Sequence, residues 1–167
     1  MNGIELYLLR HAHAGDPATW EGPDDVRPLS PKGEKQAERL ARFLAGIEFR
    51  PDAIITSPKV RAAQTAEIVG QRLEIPIGVD DRLAGGLDLA AIEAILRDAG
   101  DPARPVLVGH DPDFTSLVEI LCGTGNVPMR KGALARIDVR RPIAAGGGEL
   151  RWLVPPDLLK PGPTAGH

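Results

Sequence analysis

The chain has 167 residues, 43% hydrophobic and 26% charged, with a net charge of −3 and one cysteine, Cys122. Such a composition excludes a disordered chain and suits one domain of ordinary globular size. The negative balance excludes the usual basic nucleic-acid binder, and no apolar run reaches the roughly 18 residues a membrane helix needs. A lone cysteine cannot form an internal disulfide, so the expected compartment is the reducing cytoplasm.

The first element is Ile4 to Leu9. It is too short for a signal peptide, is interrupted by Glu5 and runs directly into Arg10 and His11, so it reads as a strand. A polar loop with Gly15, Pro17, Gly22 and Pro23 follows. Ser30 is a good N-cap with Pro31 at the first helical position, and Ala37, Leu40, Ala41 and Leu44 recur at helical spacing up to Gly46. Ala53 to Thr56 is the second strand. Ser57-Pro58 repeats the cap-plus-proline pattern before a helix with Ala62, Ala66, Val69 and Leu73 on its apolar face. Pro76 to Val79 is a short strand, Asp88 caps a third helix through Leu96, Pro105 to Val108 is a buried strand, and Pro112 to Leu121 is a fourth helix. Two late strands, Ala133 to Val139 and Glu149 to Val154, flank a turn over Ile143 to Gly148.

Alternation of strands and helices predicts a three-layer α/β/α sandwich with a mainly parallel central sheet. Residues 1–160 are expected to form one domain and 161–167, rich in proline and glycine, a flexible tail.

In such folds ligands bind beyond the C-terminal strand ends. There stand Arg10 and His11 after the first strand, Thr56, Ser57 and, one turn on, Arg61 after the second, and Gly109 and His110 after the fourth. Arginine grips phosphate oxygens with paired, charge-assisted hydrogen bonds. Histidine serves as nucleophile, donor or proton carrier near neutral pH. The group suits a phosphoryl anion.

Leu8-Leu9-Arg10-His11-Ala12, Ser57-Pro58-Lys59-Val60-Arg61-Ala62-Ala63-Gln64-Thr65-Ala66 and Val108-Gly109-His110 resemble the histidine phosphatase superfamily, the phosphoglycerate mutase-like group. Val26-Arg27-Pro28-Leu29-Ser30-Pro31-Lys32-Gly33 and the short length resemble its bacterial SixA-type phosphohistidine phosphatases. The resemblance implies that His11 attacks phosphorus and is transiently phosphorylated, that Arg10 and Arg61 hold the phosphoryl oxygens, that His110 donates a further hydrogen bond, and that no metal or other cofactor is needed. The partner it implies is a phosphorylated protein, for example a histidine-phosphotransfer domain, with a small phosphorylated molecule as the alternative.

Departures from the family pattern bear on the substrate. Ala12 replaces the familiar glycine. Gly85 stands about where ester-cleaving members place a glutamate that protonates the leaving group. An alkoxide needs that proton, whereas the nitrogen of phosphohistidine needs less help, so the gap favours a phosphoramidate. Asp111, Asp113 and Glu34 are the alternative proton sources, and with one of them a small-molecule phosphomonoesterase is the second reading. A non-catalytic phosphate-binding module is the third.

Several residues have plainer readings. Ser57 is weighted toward helix cap over phosphate contact, and Arg27 and Lys131 divide evenly between pocket and surface. Arg61 has a surface ion pair with Glu67 or Asp52 as its plain alternative, and His110 that of a satisfied loop histidine. His13 and His167 are expected at the surface and Cys122 in the core. His11, His13 and nearby aspartates lack a recognised metal-ligand spacing.

Overall fold

The computed structural model describes residues 3–162. Six strands and four helices alternate along it: β1 Gly3–Arg10, α1 Pro31–Gly46, β2 Ala53–Thr56, α2 Val60–Leu73, β3 Ile77–Val79, α3 Leu89–Asp98, β4 Pro105–Gly109, α4 Asp113–Cys122, β5 Leu134–Arg140 and β6 Glu149–Val154. Residues 163–167, and with them His167 and most of the expected tail, lie outside the described residues.

The strands form one sheet in the order β3-β2-β4-β1-β5-β6. The β1–β4, β2–β4 and β2–β3 pairs are parallel, and β5 and β6 join antiparallel at one side. Side chains alternate across a strand, and both faces of β1 are apolar. Leu6 and Leu8 pack with Ile92, Ile95, Phe114 and Leu117 of α3 and α4. Tyr7 and Leu9 pack with Leu40, Leu44, Ala66 and Val69 of α1 and α2. Helices thus cover both faces, which is why β1 and β4 read as near-continuous apolar runs.

Local signals set most boundaries. Ser30 Oγ accepts the Gly33 N–H at 3.0 Å to cap α1, with Pro31 in the first turn. Asp88 accepts the Ala91 N–H at 2.8 Å to cap α3. Ser57 does not cap α2, as the Ser-Pro pattern had suggested. That helix begins at Val60, after Lys59. The Ser57 N–H still bonds the Val108 carbonyl at 2.9 Å, so the residue extends β2 past its last ladder position, and its hydroxyl is engaged by His110.

Two glycines permit close approaches that position the sheet's C-terminal edge. A Cβ on Gly109 would stand 2.8 Å from the Phe114 ring, which packs directly beneath the end of β4. One on Gly33 would stand 1.8 Å from the His13 carbonyl oxygen. The first turn of α1 therefore presses on the segment that leaves β1, and the Ser30 N–H bonds that same carbonyl at 3.0 Å. Gly33→Ala is expected to cost at least about 1–3 kcal/mol, the usual range for overpacking. Thermal unfolding would register this as a fall of several degrees, and an unchanged midpoint would contradict the contact.

Candidate active site

Register places three strand ends side by side. Arg10 of β1 pairs with Gly109 of β4, and Val108 pairs with both Leu9 and Thr56. The residues that follow emerge at one edge: His11 after β1, Ser57 after β2 and His110 after β4. Arg61 joins them from the first turn of α2. All three of His11, Arg61 and His110 are nearly buried, at 5%, 6% and 6% exposure.

The His11 ring is fixed through its own neighbour. Nδ1 lies 2.7 Å from the Ala12 carbonyl oxygen. A carbonyl only accepts, so Nδ1 carries the hydrogen and Nε2 keeps a free lone pair. Burial is the main cause that pushes the His11 pKa down to about 3, and the Arg61, Arg10 and Lys131 charges add to it. The ring is therefore neutral across the physiological range. Burial outweighs the charges of the two arginines in this effect. The Ala12 N–H bonds Thr65 Oγ1 at 3.1 Å, and Thr65 Oγ1 donates to the Arg61 carbonyl at 2.8 Å, which ties the exit of β1 to α2.

His110 stands across from His11, with ring centroids 5.2 Å apart. Its Nε2 lies 2.7 Å from Ser57 Oγ, which also accepts the Lys59 N–H at 3.2 Å. Its pKa too is pushed down to about 3, by burial first and then by His11, Arg61, Lys59 and Arg10.

Each arginine is anchored at its outer nitrogens. Arg10 Nη1 donates to the Met129 carbonyl at 2.8 Å and lies 3.5 Å from Asp111 Oδ2. Arg61 Nη1 and Nη2 donate to the carbonyl and carboxylate of Asp24 at 2.8 and 3.0 Å. Three buried side-chain polar atoms have no hydrogen-bond partner among the described residues: Arg10 Nε, Arg61 Nε and His110 Nδ1. All three belong to this one cluster. Buried polar nitrogens without partners are rare and costly in folded proteins, and their concentration around one neutral imidazole marks a place built to receive hydrogen-bonding oxygens.

Arg27 is buried and not a surface charge. Its Nη1 donates to the Ala14 carbonyl at 2.7 Å and its Nε to Asp24 Oδ1 at 3.0 Å. Arg61 likewise pairs with neither Glu67 nor Asp52. Lys131 lies near Arg10, Arg27 and Arg61, and its partial burial first, then their charges, hold its pKa below the usual lysine range. His13 is half-buried, with Nδ1 2.6 Å from Ser30 Oγ, and not surface-exposed as expected. Cys122 is half-buried against the core under α4.

The three candidate acids separate. Glu34 is exposed and lines a groove of α1 and α2 with Glu38, Gln64 and Glu67, which none of the site histidines borders. Asp111 accepts the Thr115 N–H at 3.0 Å and its hydroxyl at 2.7 Å while facing Arg10. Asp113 accepts the Leu87 N–H at 3.2 Å, close to Gly85. Among the described residues, no group of three or more His, Cys, Asp or Glu side chains is arranged to hold a metal ion. No helix there is long and apolar enough to cross a membrane.

Residues 6–85, the stretch that holds Arg10, His11, Arg27 and Arg61, match the model of the histidine phosphatase superfamily, branch 1. Across 95% of its length the chain is 34% identical to an uncharacterized protein of Picosynechococcus, all of which it covers. The chain belongs to the histidine phosphatase superfamily. It is also 28% identical, over 94% of its length and 97% of the relative's, to the phosphohistidine phosphatase SixA of Escherichia coli. A structure of the protein histidine phosphatase SixA complexed with tungstate superposes with a TM-score of 0.80 at 28% identity, covering 94% of this chain and 100% of that one. This histidine phosphatase therefore has the phosphoglycerate mutase-like fold, and its activity is that of a phosphatase.

Two partners within the site were not foreseen. Asp24 sits three residues before Arg27, a local spacing that gives no hint of its bond to Arg61. Met129 contributes only a carbonyl, for which no residue type is diagnostic.

Proposed function

We propose that this histidine phosphatase removes the phosphoryl group from phosphohistidine in a protein, without a metal, through a phosphohistidine on His11. The observation that carries the reading is the ring of unpartnered nitrogens around a neutral His11 whose Nδ1 is already spoken for. The Nε2 lone pair attacks phosphorus, and the N–P bond of the substrate breaks with its electrons going to the leaving imidazole. Charge spread over the transferring oxygens meets Arg10 Nε, Arg61 Nε and His110, in line with the positioning and electrostatic character of phosphoryl transfer. Water then attacks the phosphohistidine, releasing inorganic phosphate and restoring His11. The 2.7 Å bond to the Ala12 carbonyl supports the charge that the ring acquires while phosphorylated. The likeness to SixA, whose structure is complexed with the oxyanion tungstate, supports both the anion and the substrate class.

Support for a phosphoramidate comes from Gly85. Its φ of 162° is extended backbone, and a Cβ there would meet nothing within 4 Å. A side chain would fit, yet none is present to protonate an alkoxide. Asp113, bonded to Leu87 beside it, favours the ester-hydrolase reading in its place.

The test is turnover of a phosphohistidine protein and of phosphoramidate against a panel of sugar phosphates, for the wild type and Asp113→Asn. The N-phosphoryl substrates are expected to turn over at least tenfold faster, with Asp113→Asn changing their rates little. Faster hydrolysis of the sugar phosphates, lost in Asp113→Asn, would establish the ester reading instead.

A further inference from the structure

Asp24 touches two of the site's arginines at once. Its backbone carbonyl accepts from Arg61 Nη1 at 2.8 Å, one carboxylate oxygen from Arg61 Nη2 at 3.0 Å and the other from Arg27 Nε at 3.0 Å. The aspartate itself lies on a short 3-10 turn, Asp24–Val26, in the loop between β1 and α1, and its side chain is 52% exposed, against 7% for Arg61. Neighbouring Asp25 lies 3.9 Å from Lys59, beside the start of α2. Both terminal nitrogens of Arg61 are thus committed to one loop residue, while Nε, buried and without a partner, is left over.

A guanidinium is a planar fork on a flexible stem, and which of its edges meets a ligand depends on what holds the others. We propose that Asp24 is a positioning residue for catalysis: it grips the outer edge of Arg61 so that Nε is presented to the phosphoryl group, and through Arg27 it fastens the β1–α1 loop to the same arginine. The inference rests on the reading that Arg61 binds the phosphoryl oxygens. The rival role is a stand-in for the substrate, with the Asp24 carboxylate occupying a place that the phosphoryl group must take. The geometry favours positioning. The backbone carbonyl of Asp24 holds Arg61 as well as its carboxylate, and displacing the residue would break three bonds to two buried arginines.

The two roles give opposite results. Steady-state kinetics on phosphoramidate, inhibition by inorganic phosphate and thermal midpoints would be measured for the wild type, Asp24→Ala, Asp24→Asn, Arg61→Ala and Asp24→Ala/Arg61→Ala. Positioning predicts that Asp24→Ala lowers kcat/KM about 10- to 100-fold, the scale of an ångström-level misplacement, and weakens inhibition by phosphate. Asp24→Asn, whose amide oxygen still accepts one of the two side-chain bonds, recovers part of the loss. The double variant is no worse than Arg61→Ala alone, because residues acting through one another are non-additive. An Asp24→Ala enzyme as active as the wild type, or more active, overturns the proposal. So does a full further loss on top of Arg61→Ala, which would make the effect independent of that arginine. If Asp24→Ala fails to fold, the cycle is run with Asp24→Asn and judged by the same criteria. Full activity in Arg61→Ala would instead refute the phosphoryl-binding reading itself.

Discussion

Replacing His11 with alanine is expected to lower turnover by about 10⁴-fold or more, because the variant loses the covalent route and not merely a contact. Removing the nucleophile of a hydrolase leaves only what binding and the remaining donors supply. The arginines that would bind the anion do not depend on the imidazole. Arg10 is held by the Met129 carbonyl and Arg61 by Asp24. Inhibition by inorganic phosphate should therefore survive in His11→Ala within several-fold while turnover disappears. Acid-labile, alkali-stable phosphate should be trapped on the wild type when a reaction with labelled phosphoramidate is quenched in alkali, and be absent from the variant. Activity within tenfold of the wild type would remove His11 from the mechanism.

Arg10→Ala is expected to cost roughly 100- to 1000-fold in kcat/KM, the range for losing one preorganised donor to a charged transition state. The side chain has one anchored edge, at the Met129 carbonyl, and one buried unpartnered edge at Nε. A lysine offers a single point charge on a flexible stem and cannot hold the anchor and present a second donor edge together. Arg10→Lys should consequently recover no more than about tenfold. The pH profile supplies a second readout. The Arg10 charge is among the causes that hold the His11 pKa down, behind burial and Arg61. Without it the His11 pKa rises, the protonated ring persists to higher pH, and the acid limb of kcat/KM moves upward. An unmoved limb with full activity would place Arg10 outside the site.

What could be read from the sequence had a local cause. Ser30-Pro31 and Asp88 satisfy free N–H groups within three residues, so those helix starts needed no tertiary information. The two-sided apolar strands announced helices on both faces. Arg10, His11 and His110 were visible because each directly follows an apolar run, and the strand register does bring them together. The misreadings had long-range causes. Ser57 looked like a cap until a histidine 53 residues away claimed its hydroxyl. Arg61 had a surface ion pair only as its plain alternative, and the partner it takes, 37 residues back, sits on a loop whose path no periodicity encodes. The surroundings of Asp111, by contrast, are local. Thr115, four residues on, engages both its oxygens, a short-range pattern open to inspection.

The anchoring of Arg10 has a kinetic consequence. Its hydrogen bond to Met129 joins residues 119 apart in sequence, and the His11 ring meets that of His110 only once β1 has paired with β4. Contacts of such separation are slow to form, since loop-closure entropy must be overcome before they return any stabilisation. A chain in which β1 and β4 have not yet paired has no complete set of donors, whatever its helix content. Recovered turnover in a refolding chain therefore counts molecules that have closed the middle of the sheet, whereas helical signal counts molecules that have merely begun.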